Sequence, residues 1–271
     1  MKKSFQELTI KDPFMFAATM SDEEQCRRLL SIVLKMDILQ VSVNTEKTLS
    51  YHPEYHGVRL DVLAIENGSQ RRFNVEMQVK DKKNLPKRSR YYHAQLDMDA
   101  LLTGIDYNEL PDTYVIFICD YDPIGDQLYR YTIYNYCKEN DTAIPDGNHT
   151  IWLSTQGQNA SDEPIELVNF LKYVENPNET EDSEDEDSFV KSLKKQIAAI
   201  KKNREWEGRY MLFEELLSDE RKEALEEGRA EGRAKTNRLV QLLAEQNRMN
   251  DIIKAANDSE YQEQLFKEFN L

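Results

Sequence analysis

The stretch VRLDVLAIENGSQRRFNVEMQVK, residues 58–80, decides the fold because it has the pattern of two strands joined by a turn. Asn67-Gly68, near its centre, is typical of a two-residue type I′ turn, since both central residues of that turn need positive φ. Each strand also carries a carboxylate, Asp61 and Glu76. Acidic residues are poor strand formers, so the presence of carboxylates at these two strand positions calls for an explanation.

A two-residue turn at 67 and 68 places Asp61 opposite Asn74. Glu76 then lies diagonally on the same face, with Cβ atoms about 7 to 8 Å apart. Two carboxylates at this separation can share a divalent cation, and Mg²⁺ prefers oxygen ligands. The same alternation also fits a solvent-facing strand in which Asp61 pairs with a nearby arginine. The pattern alone leaves both interpretations open.

Periodicity on either side of the hairpin predicts an α/β core with a mixed sheet. Residues 5–36 are helical in pattern, and Ser21 with Glu24 has the spacing of a capping box. The predicted order through residue 121 is helix, three strands, helix and strand. The other predicted elements are strands at 41–50, 58–65, 72–80, 113–121, 128–137 and 149–155, and a helix at 86–104.

Charge divides the chain unevenly. The formal net charge is −15, but residues 174–188 contain eight acidic residues and no basic one. This segment lacks a hydrophobic pattern, so we predict a linker between a first domain at 1–173 and a helical region at 189–271. Residues 79–92 have six basic residues against one acidic residue. A locally basic face on an acidic protein and an ordinary solvated charge run both fit that segment.

The C-terminal region repeats Glu-Gly-Arg at a spacing of four, with glycines at 228 and 232. Each glycine costs a helix roughly 1 kcal/mol relative to alanine, so the repeat predicts a weak, charge-laced helix or a close approach of two helices. The final segment LVQLLAEQNRMNDIIKAAN, residues 239–257, has an apolar face suited to packing on a partner protein or on a second copy of the chain.

Composition excludes some classes of protein. No apolar run approaches the ~18 to 20 residues needed to cross a membrane, and the first residues do not have the pattern of a secretory signal. The three cysteines fit no zinc spacing. We therefore expect a cytoplasmic protein with free thiols.

Seven segments, in order along the chain, resemble the PD-(D/E)XK nuclease superfamily and, more narrowly, the PD-(D/E)XK nuclease family transposases, also called recombination-promoting nucleases. They are KDPFMF (11–16), GVRLDV (57–62), NVEMQ (74–78), LPKRSRYYHAQLDMDALLTGIDYNEL (85–110), YVIFICDYDPIG (114–125), WEGRYM (206–211) and the Glu-Gly repeats after 226. The resemblance covers most of the chain. It implies a restriction-endonuclease-like α-β-β-β-α-β core with a C-terminal helical region.

The resemblance also implies a catalytic site made of Asp61, Glu76, Gln78 and Lys80, in which the two carboxylates bind Mg²⁺ or Mn²⁺. Gln78 stands where the superfamily usually has lysine. A glutamine can orient water or phosphate but carries no charge. Lys80, on the same strand face, can supply that charge.

The basic segment lies beside this site and is expected to bind DNA phosphates without reading sequence. Its predicted nucleic-acid-binding residues are Lys82, Lys83, Lys87, Arg88 and Arg90. Tyr91, Tyr92 and His93 either pack in the core or stack on a base, and His93 replaces a residue that is commonly glutamine in the family. Asp12 is expected to approach the site.

Two functions follow. The first is a Mg²⁺-dependent DNA endonuclease of the recombination-promoting, transposase type. The alternative is a weak or inactive nuclease scaffold that binds DNA or another protein through its helical tail, because Gln78 lacks the usual charge.

Overall fold

The computed structural model describes residues 3–49, 58–101, 103–179 and 187–271. The chain divides into two compact units, Met1–Glu207 and Gly208–Leu271. In chain order the helices and strands are α1 Pro13–Met20, α2 Glu23–Leu34, β1 Val41–Leu49, β2 Val58–Glu66, β3 Arg72–Gln78, α3 Leu85–Ala100, β4 Thr113–Cys119, β5 Arg130–Ile133, β6 Tyr136–Cys137, β7 Thr142–Ala143, β8 Asn148–Ser154, α4 Ile165–Glu175, α5 Ser188–Lys202, α6 Arg204–Glu245, α7 Met249–Asn257 and α8 Ser259–Glu268.

A six-stranded mixed sheet forms the centre of the first unit, in the order β1-β2-β3-β4-β8-β5. The first three strands are antiparallel, whereas β3, β4 and β8 run parallel to one another. Parallel neighbours need a crossover connection, and α3 is the helix of the crossover from β3 to β4. The predicted α/β class and the order α-β-β-β-α-β are confirmed.

Helices cover both faces of the sheet. Strand β4 is buried at every position, as the uninterrupted apolar run predicts for a strand covered on two sides. On one face, Leu63, Phe117 and Trp152 pack with Tyr92 and Leu96 of α3. Glu76 lies beside Phe117 in the ladder between β3 and β4, so α3 lies over the face that also carries Glu76.

The hairpin between β2 and β3 is present, but its predicted turn is wrong. Four residues, 67–70, separate the closing pair, in which the Glu66 N–H donates to the Arg71 carbonyl at 3.0 Å. The Glu66 carboxylate accepts bonds from Arg71 Nε at 2.6 Å, from Arg71 Nη2 at 2.9 Å and from the Ser69 hydroxyl. This ion pair spans the longer loop, and in the observed register Leu63, rather than Asp61, pairs with Asn74.

The predicted first helix is two α-helices preceded by a short 3₁₀ turn at Phe5–Glu7. The predicted cap at Ser21 is wrong, because Asp22 caps α2. Its side chain accepts bonds from the N–H groups of Glu24 and Gln25, and an aspartate competes well with serine for this role.

Helices α4 and α5 complete the first unit. Helix α5 packs against α1, α2 and α4 through its buried residues Phe189, Val190, Leu193, Ile197 and Ile200. The described contacts thus group α5 with the sheet. The predicted division into 1–173, 174–188 and 189–271 stays a prediction, and residues 180–186 of its linker lie outside the described residues.

The second unit is helical. The end of α6 packs with α7 and α8 around Leu239, Leu243, Ala255 and Leu265. Helix α6 runs without interruption through Gly228 and Gly232. Within the described ranges, no helix combines the length and the apolar character that a membrane span requires.

Candidate active site

The ladder between β2 and β3 opens at Asp61 and Glu76. Described main-chain pairing runs from Ile65–Arg72 to Val62–Val75, and the next position brings the two carboxylate residues opposite each other. There the side chains take over the bonding. The Asp61 N–H donates to Glu76 Oε1 at 3.1 Å, and the Met77 N–H donates to Asp61 Oδ2 at 3.0 Å. The two acidic side chains therefore fill the gap where the strands separate.

Glu76 lies at the floor of this opening. Its side chain is almost completely buried, with a residue exposure of 1%, and it has Phe117 of β4 beside it in the ladder. A buried carboxylate is costly unless it has charged or hydrogen-bonding partners. Glu76 has both, and they come from α3.

Arg88 of α3 joins the acidic and amide side chains of β3. Its Nη2 donates to Glu76 Oε2 at 2.9 Å, and its Nη1 donates to Gln78 Oε1. Its Nε donates to the Tyr92 hydroxyl at 2.9 Å, and that hydroxyl donates to Glu76 Oε2 at 3.5 Å. The guanidinium also lies over the Phe117 ring, 5.0 Å from its centroid. Arg88 is thus fixed by three polar partners and an aromatic face.

Electrostatics at Glu76 are a balance of opposing effects. Burial raises the pKa of the Glu76 carboxyl well above its usual value, and the negative charge of Asp61 raises it further. Arg88 and the N–H of Asp61 oppose this increase in the pKa. A cation near the two carboxylates would act in the same direction as Arg88.

Gln78 and Lys80 occupy the end of β3 and the residues after it. The Gln78 Nε2 donates to the main-chain carbonyl of Lys80 at 2.7 Å, while its Oε1 accepts from Arg88. Gln78 is buried and Lys80 is exposed. The structure therefore brings Asp61, Glu76 and Gln78 together, and it leaves the Lys80 ammonium at the edge of the group.

An open cleft of about 990 Å³ surrounds this group. Three acidic side chains line it, those of Asp12, Asp61 and Glu76. Eight basic side chains also line it: Lys3, Lys11, Arg59, Lys80, Lys82, Lys87, Arg88 and Arg90. A cleft with this excess of basic groups attracts a polyanion, although the protein as a whole is acidic.

The predicted DNA-binding residues are placed unequally. Four of the five line the cleft: Lys82, Lys87, Arg88 and Arg90. Lys83 does not, and its ammonium lies 2.5 Å from Asp81 in an ion pair whose lysine side chain is 82% exposed. Asp12 lines the cleft but accepts bonds from Lys3 at 2.8 Å and from the Thr9 N–H at 2.7 Å.

Sequence reasoning missed two contributions. It assigned Arg88 to the DNA backbone and did not foresee its bonds to Glu76 and Gln78. The available signal was the spacing of Arg88 and Tyr92, one helical turn apart on the helix that follows the Glu76 strand. It also missed Lys3, Lys11 and Arg59, which reach the cleft from outside the basic segment.

His93 lies away from the carboxylates, on the α3 face that meets β4 and β8. Its Nδ1 is 2.7 Å from the Thr113 hydroxyl, and its Nε2 is 2.9 Å from the Thr150 hydroxyl. The ring is buried, so of the two roles considered for this residue the geometry favours core packing over stacking on a base.

The site's donors suit a hard divalent cation. Carboxylate oxygens are the ligands that Mg²⁺ prefers, and it commonly takes one or two of them together with water and substrate phosphate. Asp61 and Glu76 provide such a pair, and their mutual repulsion favours a cation beside them. Among the described residues, no group of three or more histidine, cysteine, aspartate or glutamate side chains is placed to hold a metal ion.

Comparison with known proteins identifies one family. No curated protein and no solved structure matches the chain. The sequence model of the family described as PD-(D/E)XK nuclease family transposase matches residues 14–227, a range that includes the whole sheet, α3 and the carboxylate pair. The resemblance seen in the sequence is thereby confirmed, and the chain belongs to the PD-(D/E)XK nuclease family transposases, a family whose nuclease or transposase type of function implies DNA as the substrate.

Proposed function

We propose that this protein is a divalent-metal-dependent DNA endonuclease of the recombination-promoting type, which hydrolyses phosphodiester bonds. The observation that carries the proposal is the pairing of Asp61 with Glu76 at the floor of a basic cleft. Acidic side chains repel DNA, so a carboxylate pair at the bottom of a phosphate-binding cleft favours a divalent cation that both carboxylates bind together with a substrate phosphate.

Asp61 and Glu76 would hold the metal ion, which we take to be Mg²⁺ or Mn²⁺. A bound ion of this kind polarises the phosphodiester and lowers the pKa of a water molecule. The reaction adds the water oxygen to phosphorus and breaks one P–O ester bond. One proton of the water ends on the departing strand's oxygen, and the product phosphate retains the other or releases it to solvent.

The protein's own groups bind and orient the substrate. Lys82, Lys87 and Arg90 line the cleft and would hold phosphates of the backbone, which positions a strand without reading its bases. Gln78, held by Arg88 and the Lys80 carbonyl, retains one amide N–H that can orient water or a phosphate oxygen. Lys80, at the cleft edge, supplies further positive charge.

Nicking of supercoiled plasmid in Mg²⁺ or Mn²⁺ tests the proposal. We expect Asp61→Asn and Glu76→Gln each to reduce the rate about 100-fold or more, because loss of a metal ligand removes several kcal/mol of transition-state stabilisation. Lys83→Gln is the matched control, since Lys83 lies outside the cleft, and its nicking rate should stay near that of the wild type. Undiminished cleavage by both carboxylate variants would disprove this site.

The second candidate is a DNA-binding or interaction module with little or no catalysis. It is favoured by the glutamine at position 78 and by the bonds that Arg88 and Tyr92 make to Glu76. A wild type that binds DNA in an anisotropy assay but does not nick plasmid would support the module. The helices of the second unit would then serve a partner protein or a homodimer.

A further inference from the structure

We propose that Arg88 supplies the positive charge of the site in place of a lysine at position 78. This inference rests on the proposed nuclease function and deepens it. The sequence assigned Arg88 to general backbone binding and gave the catalytic charge to Lys80.

Arg88 is suited to this role because hydrogen bonds to Glu76 and Gln78 hold its guanidinium within the site. The guanidinium donates to Glu76 Oε2 at 2.9 Å and also to Gln78 Oε1. Lys80, in contrast, has an exposed side chain, and the described contact between it and Gln78 uses its main-chain carbonyl. An exposed lysine is screened by water and is free to adopt many rotamers, whereas a fixed, half-buried charge needs little reorganisation during the reaction.

Arg88 also retains donors for a substrate. A guanidinium has five N–H groups, and the described bonds to Glu76, Gln78 and Tyr92 use three of them. Arg88 lines the cleft, and its side chain is 25% exposed. The remaining N–H groups suit a phosphate oxygen, since arginine binds phosphate with paired N–H donors.

The arrangement explains how a glutamine is accommodated at position 78. A lysine there would place its ammonium where the Gln78 oxygen now accepts from Arg88, and the two cations would repel each other. The positive charge can therefore come from the strand or from the helix, but the geometry does not favour both together. Arg88 exchanges no proton in the proposed step, and it acts only through charge and hydrogen bonds.

The first test measures plasmid nicking with enzyme in excess and Mg²⁺ present. We expect Arg88→Gln to lower the single-turnover rate by roughly 100-fold. We expect the double variant Q78K/R88Q to recover most of that loss, because it moves the charge from the helix to the strand. Lys195→Gln is the matched control, because Lys195 is an exposed lysine of α5 that does not line the cleft, and it should leave both DNA binding and the single-turnover rate near those of the wild type.

The second test needs no metal and no activity. Removal of Arg88 leaves the buried Glu76 carboxylate without its cation, so Arg88→Gln should lower the melting temperature by several degrees. The double variant E76Q/R88Q should recover part of that loss, since it also removes the carboxylate. A purely additive result would show that Arg88 does not neutralise Glu76.

The possible outcomes separate the two proposals. An active wild type with an equally active R88Q would overturn the role of Arg88 and leave the nuclease function standing. A double variant Q78K/R88Q no faster than R88Q would likewise refute the exchange of charge. A folded wild type that binds DNA but never nicks plasmid would remove the nuclease function and this inference with it, and the melting data would show that the variants were folded.

Discussion

Burial and the neighbouring carboxylate of Asp61 both raise the pKa of Glu76, and the positive charge of Arg88 lowers it. The pKa of the Glu76 carboxyl is raised first by burial and then by Asp61. A carboxyl whose pKa is perturbed by burial and by a specific charged neighbour, in a cleft, is a candidate functional group. The hydrogen bond from Arg88 Nη2 at 2.9 Å places a positive charge next to the carboxylate.

At the scale of single residues, the carboxylates could be predicted and the partner of Glu76 could not. Asp61 and Glu76 stand out because an acidic residue is unusual inside a strand. Arg88 is one of several basic residues in a charged segment, and its spacing from Tyr92 places the two on one helix face without showing that this face meets Glu76. Sequence spacing places a residue on a face, but it does not show which partner that face meets.

His93 gives a prediction about pH. Burial lowers the pKa of the His93 ring to about 4, whereas an unperturbed histidine has a pKa near 6.5. The unfolded chain therefore takes up a proton first as the pH falls. The stability associated with a neutral His93 is present above about pH 6.5 and is lost as the pH falls toward 4.

We expect this loss to reach about 2 kcal/mol of unfolding free energy between pH 7.5 and pH 5, from the shift of the pKa. His93→Gln is the matched variant, because its amide can still bond to the Thr113 and Thr150 hydroxyls but does not titrate. Urea unfolding at the two pH values should show a smaller loss in the variant. Equal losses in the two proteins would mean that His93 is already solvated or charged.

At the scale of elements, the sequence pattern predicts the strands of the hairpin but not the length of its loop. Alternation and Asn67-Gly68 placed the strands and the turn region correctly. The observed loop has four residues and is spanned by the Glu66–Arg71 ion pair, whereas either a two-residue or a four-residue loop fits the same alternation. The observed register brings Asp61 directly opposite Glu76, which is closer than the predicted diagonal placement.

Helix α5 gives a prediction about packing. Phe189 is fully buried; its ring centroid lies 5.8 Å from that of Phe170 in α4, and the Arg28 guanidinium lies 5.1 Å above it. Phe189→Ala should therefore cost about 3 to 5 kcal/mol, the usual loss for a buried phenylalanine. Chemical denaturation measures this loss, and Lys195→Ala on the exposed face of α5 should change stability by less than about 0.5 kcal/mol. A small loss for Phe189→Ala would contradict the grouping of α5 with the first unit.

At the scale of the whole molecule, the charge is segregated. The formal net charge is −15, yet the cleft is lined by eight basic side chains and only three acidic ones. Much of the negative charge lies in residues 174–188, which contain eight acidic residues. Net charge alone therefore gives the wrong sign for the cleft, because the basic side chains are concentrated there.

This segregation predicts a salt dependence of DNA binding that differs between two neighbouring lysines. Lys87 lines the cleft and Lys83 does not, and Lys83 is already paired with Asp81. Each phosphate neutralised by a basic side chain contributes about −0.9 to the slope of log affinity against log salt concentration.

In EDTA, where cleavage is prevented, Lys87→Gln should make the slope shallower by about one unit, and Lys83→Gln should leave it nearly unchanged. Fluorescence anisotropy with a labelled duplex between 50 and 200 mM salt, the range in which such contacts change affinity strongly, measures both slopes. Equal effects of the two substitutions would show that DNA follows the surface of the basic segment rather than the cleft that leads to Asp61 and Glu76.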